Sequence, residues 1–398
     1  MNRQEFNIQK EKLISIFREN AEYYDKTGKF PFANFKEIIK RNIHSFNLPK
    51  DYGGMQSNIK DTCLLLRDLS KGCPSTTLCL AMHCYTIGGL ADILTEEQKK
   101  YFFHEVSKGK LFGSIGDPNI LVTLNNKNMM KKQINIDAEI VDGGFLLSGI
   151  KHIVSGSENI RFLPVFCEVK NKRNEISTKR SGITALIVDL NSEGIHILDN
   201  WKSVGMKASR SNSIRFTKVF VPDSHLIGEV DNGIEDTLFL IYWFRLCLSA
   251  VYLGIAFSAY QYILNYVKNT YDTSDNKISL LPSTQYMIAD LRIKLETCNS
   301  QLINCANQAD NFLHKGIDNL QLNELTLITK QYTSDTVNSV LIGCRKLFGT
   351  KSLIEGEFLE RMYRDASAAP FHPPNEFLLK EILGKKSLGL IPGKKRWV

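Results

Sequence analysis

No Cys-x-x-Cys pair occurs anywhere in the 398 residues, and the eight histidines are scattered without metal-ligand spacing. No metal is therefore expected. The nine cysteines (Cys63, Cys73, Cys79, Cys84, Cys167, Cys247, Cys298, Cys305 and Cys344) are odd in number, and several fall in apolar helical patterns. They read as buried thiols of a reducing compartment, so a cytoplasmic location is expected. The opening "MNRQEFNIQKEKL" is not a signal peptide. A strong charge of one sign is missing too, since the excess is only +8. Basic clusters such as "NKNMMKKQ" and "PGKKRWV" have little aromatic interleaving, which excludes nucleic acid as the expected partner. The mild positive field suits an anionic cofactor or substrate.

One long apolar run, "LFLIYWFRLCLSAVYLGIAFSAYQYIL" from Leu238 to Leu264, is long enough to cross a bilayer. Arg245 falls inside it, and a central arginine costs roughly 2.5–3.5 kcal/mol even on a lenient insertion scale. A helix apolar on all sides is better read as the centre of a bundle that continues into an oligomer interface. No membrane association is expected. A chain of 398 residues, 43% hydrophobic and 23% charged, is a globular protein too long for a single ordinary core.

The hydrophobic period changes twice along the chain. Residues 1–111 read as helical, with a stripe at Ile8, Leu13, Ile14 and Phe17, a turn at "PKDYGGM" and a helix capped by Thr95. Residues 112–229 alternate with a period of two. "INIDAEIVDGGFLLSG" is a hairpin signal around Asp142-Gly143-Gly144, and "RFLPVFCEV", "GITALIVDL" and "SIRFTKVFVP" are further strands. They imply a compact antiparallel barrel or sandwich. Residues 230–398 return to helical period, with a stripe from Met287 through Leu291, Leu295, Cys298 and Leu302 and a last helix ended by Gly384. The expected fold is thus α+β and multidomain: an N-terminal helical domain, a middle β-domain and a C-terminal domain like a four-helix bundle.

Several motifs sharpen this order. "LPKDYGG", "LFGSIGDPN", "FLLSGIKHIVSG", "WKSVGMKASRSNSIRFTKVFVPDSHLIGE" and "FLERMYRDASA" together resemble segments of the acyl-CoA dehydrogenase superfamily over nearly the whole chain. The resemblance implies a homotetramer that binds FAD (or FMN) between the β-domain and the bundle and acts on a small molecule. It assigns flavin contacts to Ile115 and Gly116 in the first motif strand, to Ile153 and Ser155 in "KHIVSG", and to Gln285 and Gly349 in the bundle. Ser155 is expected to face the reactive edge of the ring. Arg364 and Asp365, in "YRDA", are expected to be structural.

The departures from the family narrow the chemistry. Its dehydrogenases carry a catalytic glutamate after "YRDA", where this chain has His372 in "FHPP". Other members carry the base just before an arginine of the first long bundle helix, where this chain has Phe244 before Arg245. The family's Arg-x-x-Phe-Gly pyrophosphate motif is absent from "YVKNTYDTSDNKISLLPSTQ", and Gly116 replaces a threonine. His372 serves as a general base, as a donor on the oxygen side of the flavin, or as a helix cap before Pro373 and Pro374. His83, in an apolar helix, is either a core residue or a group on the substrate side of the flavin. The expected activity is a monooxygenase using reduced flavin and oxygen, with a flavin reductase as a further partner. The alternatives are an acyl-thioester dehydrogenase with a non-glutamate base and a flavin-free scaffold.

Overall fold

The computed structural model describes residues 3–117, 134–170, 182–315 and 319–390. The basic clusters "NKNMMKKQ" and "PGKKRWV" lie outside the described residues.

Five α-helices come first: α1 (Arg3–Thr27), α2 (Phe32–Lys40), α3 (Ile59–Ser70), α4 (Pro74–Leu90) and α5 (Glu96–Ser107). Thr95 caps α5 with a complete capping box, its hydroxyl accepting from Gln98 N and Gln98 returning to Thr95 N. Every residue of α4 is buried, as a helix without a polar face requires.

Seven strands follow: β1 (Ile136–Val141), β2 (Gly144–Val154), β3 (Phe162–Lys170), β4 (Ile183–Asp189), β5 (Ile195–Ile197), β6 (Asn212–Pro222) and β7 (Leu226–Ile227). The β1–β2 hairpin turns at Asp142-Gly143, where Gly143 takes φ +74°. The strands form one sheet in the order β5-β6-β2-β1-β3-β4-β7. Its pairs are antiparallel except β1 with β3, which run parallel. The sheet is therefore mixed, where alternation alone implies an antiparallel one. The reason is topological: a chain that reverses at each connection must bring its third strand back parallel to its first once the two lie side by side.

The C-terminal region is built on a core helix, Leu240–Asn269, which packs on α3, α4 and the long helices Pro282–Lys315 and Asn319–Phe348. Every residue from Leu246 to Ala256 is buried. Gly254 lets this helix approach α3 closely, since a Cβ there would stand 2.2 Å from Arg67 O. The helix is apolar and long enough to span a bilayer, but 89% of its most apolar window is covered by protein. Arg245 donates through Nη1 to neutral acceptors, Asn323 Oδ1 at 2.7 Å and Thr326 Oγ1 at 3.0 Å, while its buried Nε has no partner among the described residues. Burial holds its pKa down to about 10. Helices Phe358–Ala366 and Glu376–Ser387 complete the region. The last runs past Gly384 to Ser387, three residues beyond the expected stop. Gly384 keeps a negative φ there, so it continues the helix instead of capping it.

Candidate active site

The apolar core helix and the segment leading out of α5 meet along a cleft lined by residues of both. Tyr85 of α4 forms one wall. Its hydroxyl lies 2.6 Å from Ser114 Oγ and accepts from Gly116 N at 3.3 Å. Phe244 of the core helix meets the Tyr85 ring edge-on, with centroids 5.3 Å apart. Ile115, Gly116 and Asp117 line the cleft from one side, and Phe166 of β3, Ile241 and Pro373 add apolar surface. Lys151 of β2 is buried beneath this segment and donates to Ile115 O at 3.1 Å and Gly116 O at 2.8 Å. Burial pulls its pKa down, opposed by the charge of Asp117.

Ile115 and Gly116 thus stand together in the cleft. Ser155 lies just past the end of β2 and does not line it. Its hydroxyl is 2.9 Å from Ser211 Oγ, which is 2.8 Å from Ser209 Oγ, a ladder of three buried hydroxyls. Ile153, two residues earlier, adopts φ +56° with its side chain 58% exposed. The register of β2 against β6 shifts between Lys151 and Val154. A β-branched residue at positive φ is strained, and such strain gathers at functional sites.

His83 engages backbone with both ring nitrogens: Nε2 lies 2.8 Å from His44 O, and Nδ1 accepts from Phe112 N at 2.9 Å. Burial pushes its pKa down to about 3. A neutral ring held this way ties α4 to two loops.

His372 is half-buried. Its Nε2 is 2.5 Å from the hydroxyl of Tyr252 on the core helix. It lines a small cavity of its own, shared with Ser249, Lys330 and Ser334, next to the cleft that Pro373 lines. Burial first, then the neighbouring Lys330 charge, push its pKa down to about 3. The Lys330 ammonium donates to Pro374 O at 2.7 Å and is itself depressed to about 8, chiefly by burial. Asn375, whose side chain accepts from Leu378 N, is the residue that caps the last helix.

Gln285 and Gly349 are exposed on the bundle surface. The Gln285 amide donates to Ser279 O at 3.2 Å, and Gly349 has φ +74° with open space around it. The structure does not bring either to the cleft. Arg364 pairs with Asp25 of α1 at 2.6 Å and donates to Val204 O, and Asp365 accepts from Met206 N at 2.5 Å. Burial raises the Asp365 carboxyl to about 6. Gly205 permits this seam, because a Cβ there would fall 2.0 Å from Arg364 O. The pair ties its helix to α1 and to the connection between β5 and β6.

Sequence reasoning missed Tyr85, Lys151, Tyr252 and Lys330. The lysine of the "GIKHIVSG" motif was a usable signal for Lys151. The others sit in apolar or mixed helices and carry none.

A helical domain, a mixed sheet and a helical bundle with an apolar cleft at their junction define a class of flavin-dependent oxidoreductases. The chain belongs to the acyl-CoA dehydrogenase superfamily: the family's N-terminal domain model matches residues 15–110 and its C-terminal domain model residues 246–376, together over half the chain. It is 24% identical to a probable acyl-CoA dehydrogenase, YngJ, of Bacillus subtilis, over 87% of each chain. It is 22% identical to an NADH-dependent acryloyl-CoA reductase of Anaerotignum propionicum, over 97% of this chain and 96% of that one. Among solved structures, the dibenzothiophene monooxygenase TdsC of Paenibacillus sp. A11-2, in complex with FMN and indole, superposes with a TM-score of 0.86 at 17% identity over 99% of each chain. The butyryl-CoA dehydrogenase of Megasphaera elsdenii superposes at 0.84 with 19% identity, over 98% of this chain and 99% of that one.

Proposed function

We propose that this enzyme is a flavin-dependent monooxygenase acting on a small, largely apolar substrate. One observation carries the reading: neither position at which the family holds its catalytic glutamate has a carboxylate, Phe244 and His372 standing there instead. Removing a proton beside a thioester needs a well-placed base, worth about 10²–10⁴-fold. The Phe244 ring packs on Tyr85, and the His372 imidazole is depressed far below neutrality.

The apolar lining of the cleft suits the ring of a flavin and an apolar substrate. The fit to a dinucleotide tail is poorer: no arginine lies between Lys268 and Gln285, and Asp272 and Asp275 occupy that stretch. FMN, or FAD whose tail a second subunit holds, suits these residues. Reduced flavin supplies the electrons with which oxygen is activated, and a separate reductase is its source. Tyr85, locked to Ser114, holds the Gly116 wall, and Lys151 pins the same segment from below. The aromatic and aliphatic walls offer few partners to hold water near the reacting atoms.

Exposed apolar side chains on the helix Pro282–Lys315, Tyr286 at 75% and Ile293 at 63%, favour a homotetramer. Nine buried free thiols favour the cytoplasm. The test combines purified protein with reduced FMN or FAD, oxygen and an apolar aromatic probe such as indole. Oxygenated product is expected, and acyl-CoA oxidation with an electron acceptor in place of it would favour the dehydrogenase instead.

A further inference from the structure

We propose that Tyr252 is a positioning residue that fixes His372 as a neutral imidazole protonated at Nδ1, so that His372 donates a hydrogen bond and does not accept a proton. The inference builds on the monooxygenase reading only in what the donor is for.

The 2.5 Å contact between Tyr252 Oη and His372 Nε2 admits two arrangements. If Nε2 carried the proton, the Tyr252 hydroxyl would have to donate elsewhere. It is buried, at 3% exposure for the residue, and it makes no other hydrogen bond among the described residues. Its proton would then be stranded, at a cost of about 1–3 kcal/mol. If Tyr252 donates to Nε2, nothing is stranded. His372 Nδ1 makes no hydrogen bond among the described residues and is not sealed off from solvent, so it is free to carry its proton toward a ligand or water. A phenol whose pKa burial and the Asp365 charge hold well above its ordinary value keeps its proton, which favours the same arrangement.

The surroundings also resist a second proton on the ring. Lys330 lines the same small cavity and donates to Pro374 O, and the Arg245 charge acts on Lys330 in turn. The carboxylates that act on this group do so indirectly, Asp365 on Tyr252 and Glu376 on Lys330. An imidazolium would thus be desolvated beside a cation with no anion in contact. His372 lines the small cavity and Pro373, the next residue, lines the apolar cleft beside it, so a donor on the ring is suited to hold an oxygen atom that reaches that cavity.

The test is nitrogen-15 NMR of the full chain labelled at histidine, with His372 identified by the signals that vanish in His372→Gln. Expected are a protonated, pyrrole-type Nδ1 and an unprotonated, pyridine-type Nε2, unchanged from about pH 8 down to about pH 5. Tyr252→Phe should release the tautomer, so that Nε2 gains proton character. Lys330→Met should keep the tautomer and raise the pH at which the ring takes a second proton by about one unit. A protonated Nε2 in the unaltered protein, or an imidazolium at about pH 6, overturns the proposal. So does an unchanged tautomer in a folded Tyr252→Phe variant. If that variant does not fold, the unaltered protein and Lys330→Met still decide. None of these signals depends on turnover, so a failed oxygenation assay leaves the tautomer result intact.

Discussion

Phe244 and Tyr85 meet edge to face, centroids 5.3 Å apart and planes at 68°, and both line the apolar cleft. The contact joins the core helix to α4 where related enzymes carry an acid. A carboxylate there would face aromatic and aliphatic groups, and its solvation would be lost with little to replace it.

Phe244→Glu should therefore weaken binding of an apolar substrate by about tenfold or more, read as a rise in KM. The new carboxyl should titrate above the ordinary carboxylate range, because the cleft penalises its charge. An unchanged KM would show that substrate does not reach this wall.

Ser155→Ala removes one rung of the Ser155–Ser211–Ser209 ladder. Ser211 keeps Ser209 as a partner, so unfolding experiments should show a loss of only about 1 kcal/mol. Turnover should fall by more than that if Ser155 reaches the flavin. Equal activity at equal flavin occupancy would remove Ser155 from the site.

His83 and His372 both titrate at about 3 in the folded protein, against 6.5 for the free side chain, and burial lowers His44 and His225 as well. Below about pH 6.5 the unfolded chain binds protons that the folded one refuses. Stability is thus full above that value and falls as pH drops toward about 3, by up to about 1.4 kcal/mol per pH unit for each such histidine. His83→Gln, whose amide offers a donor and an acceptor to His44 O and Phe112 N, should flatten this slope by one histidine's share. Denaturant midpoints across pH 4 to 7 read the difference, and an unaltered slope would show that His83 protonates in the native state.

Ile293→Asp puts a charge on the exposed apolar face of the helix Pro282–Lys315. Light scattering should show a smaller assembly, and flavin affinity should fall by about tenfold or more if a second subunit holds the cofactor tail. An unchanged mass would remove this face from the interface.

The sequence by itself determined the order of helices, sheet and bundle, because hydrophobic period is a local property and each change of period marks a change of element. It also determined the Thr95 cap, the Asp142-Gly143 turn and the buried arginine-bearing helix, all set by residues a few positions apart. Motif resemblance reached the superfamily. Tertiary structure alone decided the parallel β1–β3 pair, because it depends on which edge the third strand joins. It decided the histidines too. His83 and His372 look alike in sequence, yet one spends both nitrogens on backbone, while the other meets a tyrosine 120 residues away and a lysine 42 positions upstream. A side chain's protonation is set by its solvation and its hydrogen-bond partners, and those partners come from parts of the chain that only folding brings together.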